Sequence, residues 1–179
     1  SAERDVYEAV GQYIERRFRE LEAERPGKGF VMTVYRRRVS SSPLAIERSL
    51  ERRRQGLQRV ASQKAPDLDL PPDDTPESLD PDDLPDELGR RVPSGLPQDP
   101  QVARAELREV DRVLEDIRAL RGRDSKRDRF FDVLRQVTDD GRTVLIFTEY
   151  RDTLEYLRDA LVGHYGRALA CYSGDGGQI

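Results

Sequence analysis

Between residues 65 and 100 the chain carries nine of its eleven prolines and eleven of its 35 acidic groups, against two basic ones, Arg90 and Arg91. Proline lacks the amide a helix interior needs, and its ring blocks the turn before it. Crowded carboxylates repel one another, and too little apolar surface lies among them to offset the entropy of ordering. The segment is expected to be a disordered, acidic, proline-rich insertion. It divides the chain into a helical region at 1–64, the insertion at 65–100, and a second ordered region at 101–179.

The charge balance follows from that division. The insertion carries a net −9, so a chain of net −4 leaves a remainder of +5. An arginine-rich body of that sign is compatible with a polyanionic partner. A mean hydropathy of −0.79 fits a chain of which one part packs no core. The single cysteine, Cys171, permits no internal disulfide, and with the single His164 it makes no ordinary zinc site. A reducing, cytoplasmic setting is expected. No stretch approaches the roughly 20 apolar residues of a membrane span, so no membrane partner is expected.

Outside the insertion the apolar residues recur at helical spacing. Val6, Val10, Tyr13, Ile14, Phe18 and Leu21 make one stripe, which the proline and glycines of 25–29 end. Residues 30–39 fit either a strand or a helix. Ser42 followed by Pro43 is a helix start, because proline at the first helical position sacrifices no hydrogen bond. Ile46, Leu50, Leu57 and Val60 then continue a stripe, with Arg48, Arg52, Arg53, Arg54 and Arg59 on the other faces. Asp99 and Pro100 repeat the same start before Val110, Val113, Leu114, Ile117 and Leu120. Ser125 with Asp128 predicts a capping box ahead of Phe130, Phe131, Leu134 and Val137.

Residues 143–147, "TVLIF", are a continuous β-rich apolar run, the pattern of a strand covered on both faces. An amphipathic helix capped by Thr148 follows, with Leu154, Leu157 and Leu161 inward, and then "ALACYSG" as a second strand. A strand, a helix and a strand at these lengths predict a right-handed parallel βαβ unit. Two parallel strands cannot cover their own faces. The fold is therefore expected to be unfinished at Ile179, and the chain a fragment.

Three stretches could carry chemistry. "SGDGGQ" at 173–178 lacks the lysine and following helix of a Walker-type phosphate loop, and a turn after a strand is the simpler reading. "VLIFTEYRDT" places helix N–H groups, and Arg151, at the carboxyl edge of the predicted sheet, an anion site in principle; from physics alone an ordinary N-cap beside an exposed arginine is the better-supported reading. "YRRRVSSS" joins arginines that can clamp phosphates to serines that can donate to them, or is a solvated helix face and a cap.

Taken in order, these pieces resemble the second RecA-like lobe of superfamily 2 helicases of the Swi/Snf type, the bacterial RapA-like and phage-defence members above all. "AERDVYEAVGQYI" resembles the helix that enters that lobe, and "GFVMTVYRRRVSSSPLAIERSLERR" its basic helix pair. "DSKRDRFFDVL" is similar to the segment before the lobe's first strand. "RTVLIFTEYRDTLEYLRDAL" resembles helicase motif IV, and "CYSGDGGQ" the strand and loop that face the nucleic-acid backbone. The fold implied is α/β: a truncated RecA-like parallel βαβ unit preceded by several helices. The function implied is that of a fragment of an ATP-dependent DNA helicase or translocase, a hydrolase only as part of its parent. ATP and Mg²⁺ would belong to that parent and not to this chain, because the Walker lysine, acidic box and arginine finger are absent from these 179 residues. Its partners would be double-stranded DNA or another nucleic acid, the first RecA-like lobe and the rest of the second. By the same resemblance Thr148, Tyr150, Arg151, Ser173 and Gly174 would lie along the nucleic-acid path, with Arg36, Arg37 and Arg38 beside it or against the neighbouring lobe. The alternatives are a stand-alone nucleic-acid-binding module or a helical protein-interaction module without ATPase activity.

Overall fold

The computed structural model describes residues 1–62, 95–120, 122–173 and 176–178. Helix α1 spans Ala2–Glu24, with the Ser1 side chain accepting from the Arg4 amide at 3.4 Å. Its buried face is Val10, Tyr13, Ile14, Arg17 and Leu21, so the apolar stripe faces inward as its spacing predicts. A corner at 25–29 ends it. Gly27 there adopts φ 84°, where a side chain would be strained. The Glu22 carboxylate accepts from the amides of Gly27 at 2.8 Å and Gly29 at 3.1 Å.

Residues 30–39 are helical, within α2 (Phe30–Ser41). Val31, Met32, Val34, Tyr35 and Arg38 are buried together, a clustering that alternation on a strand would have split between two faces. Helix α3 (Pro43–Ser62) follows after one residue, with Ser42 Oγ accepting from the Ala45 amide at 3.1 Å. Helix α4 (Pro100–Ala119) begins with Asp99 capping the Gln101 amide at 2.7 Å. It packs along α3, and α1 and α2 complete a four-helix body.

The main core lies in this body. Its buried cluster runs from Val10, Tyr13 and Ile14 through Met32, Ile46 and Leu50 to Val110, Leu114 and Ile117. Side chains of this size contribute about 1.5–3 kcal/mol each on full burial. Gly56 of α3 allows Leu96 to close over the helix, since a Cβ there would come within 2.7 Å of Leu96 Cδ1. Most of the 65–100 insertion lies outside the described residues; its last residues, from Gly95, are ordered against the core.

Helix α5 spans Ser125–Thr138 and α6 spans Arg151–Tyr165, followed by a 3₁₀ turn at Gly166–Ala168. Asp124, not Ser125, caps α5 by accepting from the Arg127 amide at 3.0 Å. Tyr150, not Thr148, stands at the N-cap of α6.

The predicted α/β architecture is not what forms. Among the described residues the chain is mostly helical, and its sheet is a three-residue antiparallel hairpin. Strand β1 (Cys171–Ser173) pairs with β2 (Gly176–Gln178) in the register Cys171↔Gln178, Tyr172↔Gly177 and Ser173↔Gly176. The run at 143–147 pairs with no described strand, and Leu145 and Phe147 are 81% and 89% exposed. Among the described residues no RecA-like βαβ unit forms. The physical reason is the absence of a neighbouring strand. A ladder needs a partner for every amide and carbonyl, and Cys171–Ser173 closes a short antiparallel loop more easily than a parallel pairing across α6.

Candidate functional site

The arginines of α2 do not share one environment. Arg38 is on the buried face of the helix and is 0% exposed. Its Nε donates to the Ala45 carbonyl at 3.1 Å, and its Nη2 pairs with Asp152 Oδ2 near the start of α6. The guanidinium carbon lies 4.9 Å from the centroid of the Tyr150 ring, which is itself buried. An aromatic face and a carboxylate together make burial of that charge tolerable. Arg37, one residue earlier, pairs at 2.9 Å with Glu149, both largely exposed. Arg36 lines a separate cleft of about 340 Å³ between α1 and α2, with Ile14, Phe18 and Met32.

Helix α3 aims two further arginines at the same carboxylate. Arg48 Nη1 donates to Asp152 Oδ1 at 2.5 Å and to Glu155 Oε2 at 2.7 Å, and Arg52 Nη2 lies 3.9 Å from Asp152 Oδ2. The hydrogen bond to Asp152, followed by that to Glu155, holds the Arg48 guanidinium above its ordinary range against the opposing pull of burial. Next to Asp152, Thr153 Oγ1 lies 2.7 Å from Ser41 Oγ and 2.9 Å from Ser42 Oγ. Lys126 Nζ donates to the carbonyls of Ser40 at 2.5 Å and Ser41 at 3.1 Å, placing a cation at the C-terminus of α2, where the helix dipole favours one.

This corner adjoins a cleft of about 390 Å³ lined by Ser41, Lys126, Phe130, Phe147, Thr148 and Tyr156, among others. Tyr156 donates to Asp124 Oδ2 at 2.7 Å. Burial, and then the bond to that carboxylate, raises its hydroxyl well above the usual tyrosine range. The lining offers the Lys126 ammonium, the Arg127 guanidinium, hydroxyls and aromatic rings, beside the carboxylates of Asp124 and Glu149. Its cationic and aromatic part can receive an anion or stack a ring, and the Asp124 carboxylate is taken up by Tyr156.

The structure thus brings Thr148, Tyr150, Arg37 and Arg38 into one region. Arg151 is the exposed first residue of α6, between buried Tyr150 and buried Asp152. Ser173 is exposed in β1, which supplies no residue to the cleft, and Gly174 lies outside the described residues. Sequence reasoning missed Asp152, Thr153, Arg48 and Lys126. A signal for two of them was present. Asp152 and Glu155 are three apart, and Arg48 and Arg52 are four apart, so each pair lies on one helix face with opposite sign.

Among the described residues no helix is long and apolar enough to cross a membrane. Comparison with protein-family models, with curated proteins and with solved structures found no match for this chain.

Proposed function

We propose that this chain is a non-catalytic part of an ATP-dependent DNA translocase or helicase, contributing contacts to the nucleic-acid backbone. One observation supports the reading best. Three segments that resemble the helicase family, "YRRRVSSS", "DSKRDR" and "TEYRDT", are separated by up to about 110 residues of chain, yet they meet at one corner. A lysine, hydroxyls and exposed arginines around that corner suit a phosphate backbone read without regard to sequence. The hydrolytic groups, with ATP and Mg²⁺, belong to the rest of the motor in this reading.

Arg38, Arg48, Arg53, Arg54 and Arg118 are engaged by carboxylates, so these five are not ready phosphate contacts, while the body's net +5, which already counts those carboxylates, is unchanged. Fluorescence anisotropy with a 20-base-pair duplex should give binding that weakens log-linearly with salt. Replacing Arg151 or Lys126 by alanine should reduce that slope by about one each. Absence of salt-sensitive binding would remove the DNA reading. It would favour the protein-interaction alternative, which the exposed Leu145 and Phe147 support. For the motor itself, the flanking coding DNA is expected to encode a G-x-x-x-x-G-K-[ST] segment upstream; stop codons at both ends would exclude it.

A further inference from the structure

Three of the four residues from Tyr150 to Thr153 are locked onto the α2–α3 corner. Tyr150 covers the Arg38 guanidinium, Asp152 is shared by Arg38, Arg48 and Arg52, and Thr153 bridges the side chains of Ser41 and Ser42. Arg151, between them, is exposed. Asp152 occupies the first turn of α6, where a carboxylate already suits the helix dipole. It turns that charge onto a buried guanidinium, so the start of α6 and the corner can shift only together.

We propose that Asp152 is a positioning residue, whose carboxylate fixes the start of α6 against the α2–α3 corner and so sets the direction in which Arg151 and Thr148 face the nucleic acid. This rests on the reading of Thr148 and Arg151 as backbone contacts. The joint itself stands on geometry alone. Without the carboxylate, buried Arg38 loses its ion pair with Asp152, a loss costly enough to release the contact and let the first turn of α6 open. The amides that report this are those of Thr153 and Leu154, which donate to the Tyr150 carbonyl at 3.0 Å each.

The test compares the wild-type chain with Asp152→Asn, Asp152→Glu and the milder Thr153→Val. Hydrogen exchange at Thr153 and Leu154 should quicken by about tenfold or more in Asp152→Asn, less in Thr153→Val, while α1, α3 and α4 keep their protection. Asp152→Glu, which keeps the charge, should recover much of the protection. In the same variants, affinity for the 20-base-pair duplex should fall by about tenfold in Asp152→Asn with the salt slope unchanged, since Arg151 keeps its charge. Removing a negative charge would by itself strengthen DNA binding, so a fall separates positioning from electrostatics. Unchanged exchange at 153–154, or a rise throughout α1, α3 and α4, overturns the assignment. Faster local exchange with undiminished affinity overturns the link to nucleic acid. A wild-type chain that does not bind DNA removes the functional reading, and the exchange data still decide the joint.

Discussion

Arg53 of α3 shows at the scale of one residue what apolar spacing does not carry. It is 0% exposed, and its Nε donates to Glu106 Oε1 at 2.6 Å and to Tyr13 Oη at 2.9 Å. Tyr13 in turn donates to the same Glu106 oxygen at 2.8 Å. Arg53 stands seven residues from both Ile46 and Val60, so it falls on the apolar stripe itself rather than on another face, and nothing local signals that a carboxylate 53 residues later will enclose it. Burial is the leading cause that raises the hydroxyls of Tyr13 and Tyr35 above the ordinary value, and it pushes Tyr7 up to about 12. Unfolded tyrosine ionises near 10. Below that pH both states hold their protons, and the contribution to stability is fully present. Above it the unfolded chain releases protons first, so stability falls, for Tyr7 between 10 and about 12 and for the others further up. Urea midpoints should therefore be insensitive to these groups up to about pH 10 and decline at pH 11. A midpoint that holds at pH 11 would show that the phenols are not buried in the folded chain.

At the scale of elements, legibility depended on whether the determining partner was near in sequence. Ser42–Pro43 and Asp99–Pro100 start α3 and α4 as their side chains dictate, because a cap bonds amides two or three residues away. The start of α6 was legible only in part. Thr148 is a good capping residue, but Tyr150 is drawn over Arg38, more than 100 residues earlier, and the helix begins after it. The run at 143–147 has the composition of a strand, and composition cannot supply the neighbour that a strand requires. Corners follow the same rule, and two glycines of similar appearance separate on it. Gly11, inside α1, has nothing within 4 Å of a Cβ, whereas a Cβ on Gly29 would sit 2.8 Å from the Phe18 carbonyl oxygen. Gly11→Ala should stabilise by about 0.5–1 kcal/mol through helix propensity. Gly29→Ala should destabilise by about 1–3 kcal/mol, since backbone must move to admit the methyl. Urea unfolding of the two variants checks the pair, and equal shifts of one sign would mean that α1 and α2 do not meet this closely.

Over the whole molecule, the two ordered regions are unequal. Every residue of the main buried cluster comes from α1 to α4, none beyond Ile117. Helices α5 and α6 bury Leu134 and Leu161 and bring the Phe131 and His164 rings to 5.3 Å, and they meet the body chiefly through the charged corner at Asp152. In and around these helices Val133, Leu145, Phe147, Val162 and Tyr172 are exposed. A short, uncharged, β-rich run open to solvent is a template for pairing with another chain, and at 143–147 no lysine or proline blunts it. The isolated chain should therefore self-associate as its concentration rises toward about 100 μM, a range in which exposed strand edges commonly associate. Phe147→Lys should move light scattering back toward the monomer mass without loss of helical signal, because Phe147 adds nothing to the helical core and a charge there opposes stacking. A wild-type chain that stays monomeric at that concentration would mean that the run is covered in solution. Association that Phe147→Lys leaves intact would move the contact to another face, for which the cleft lined by Ile14, Phe18 and Met32 is a candidate.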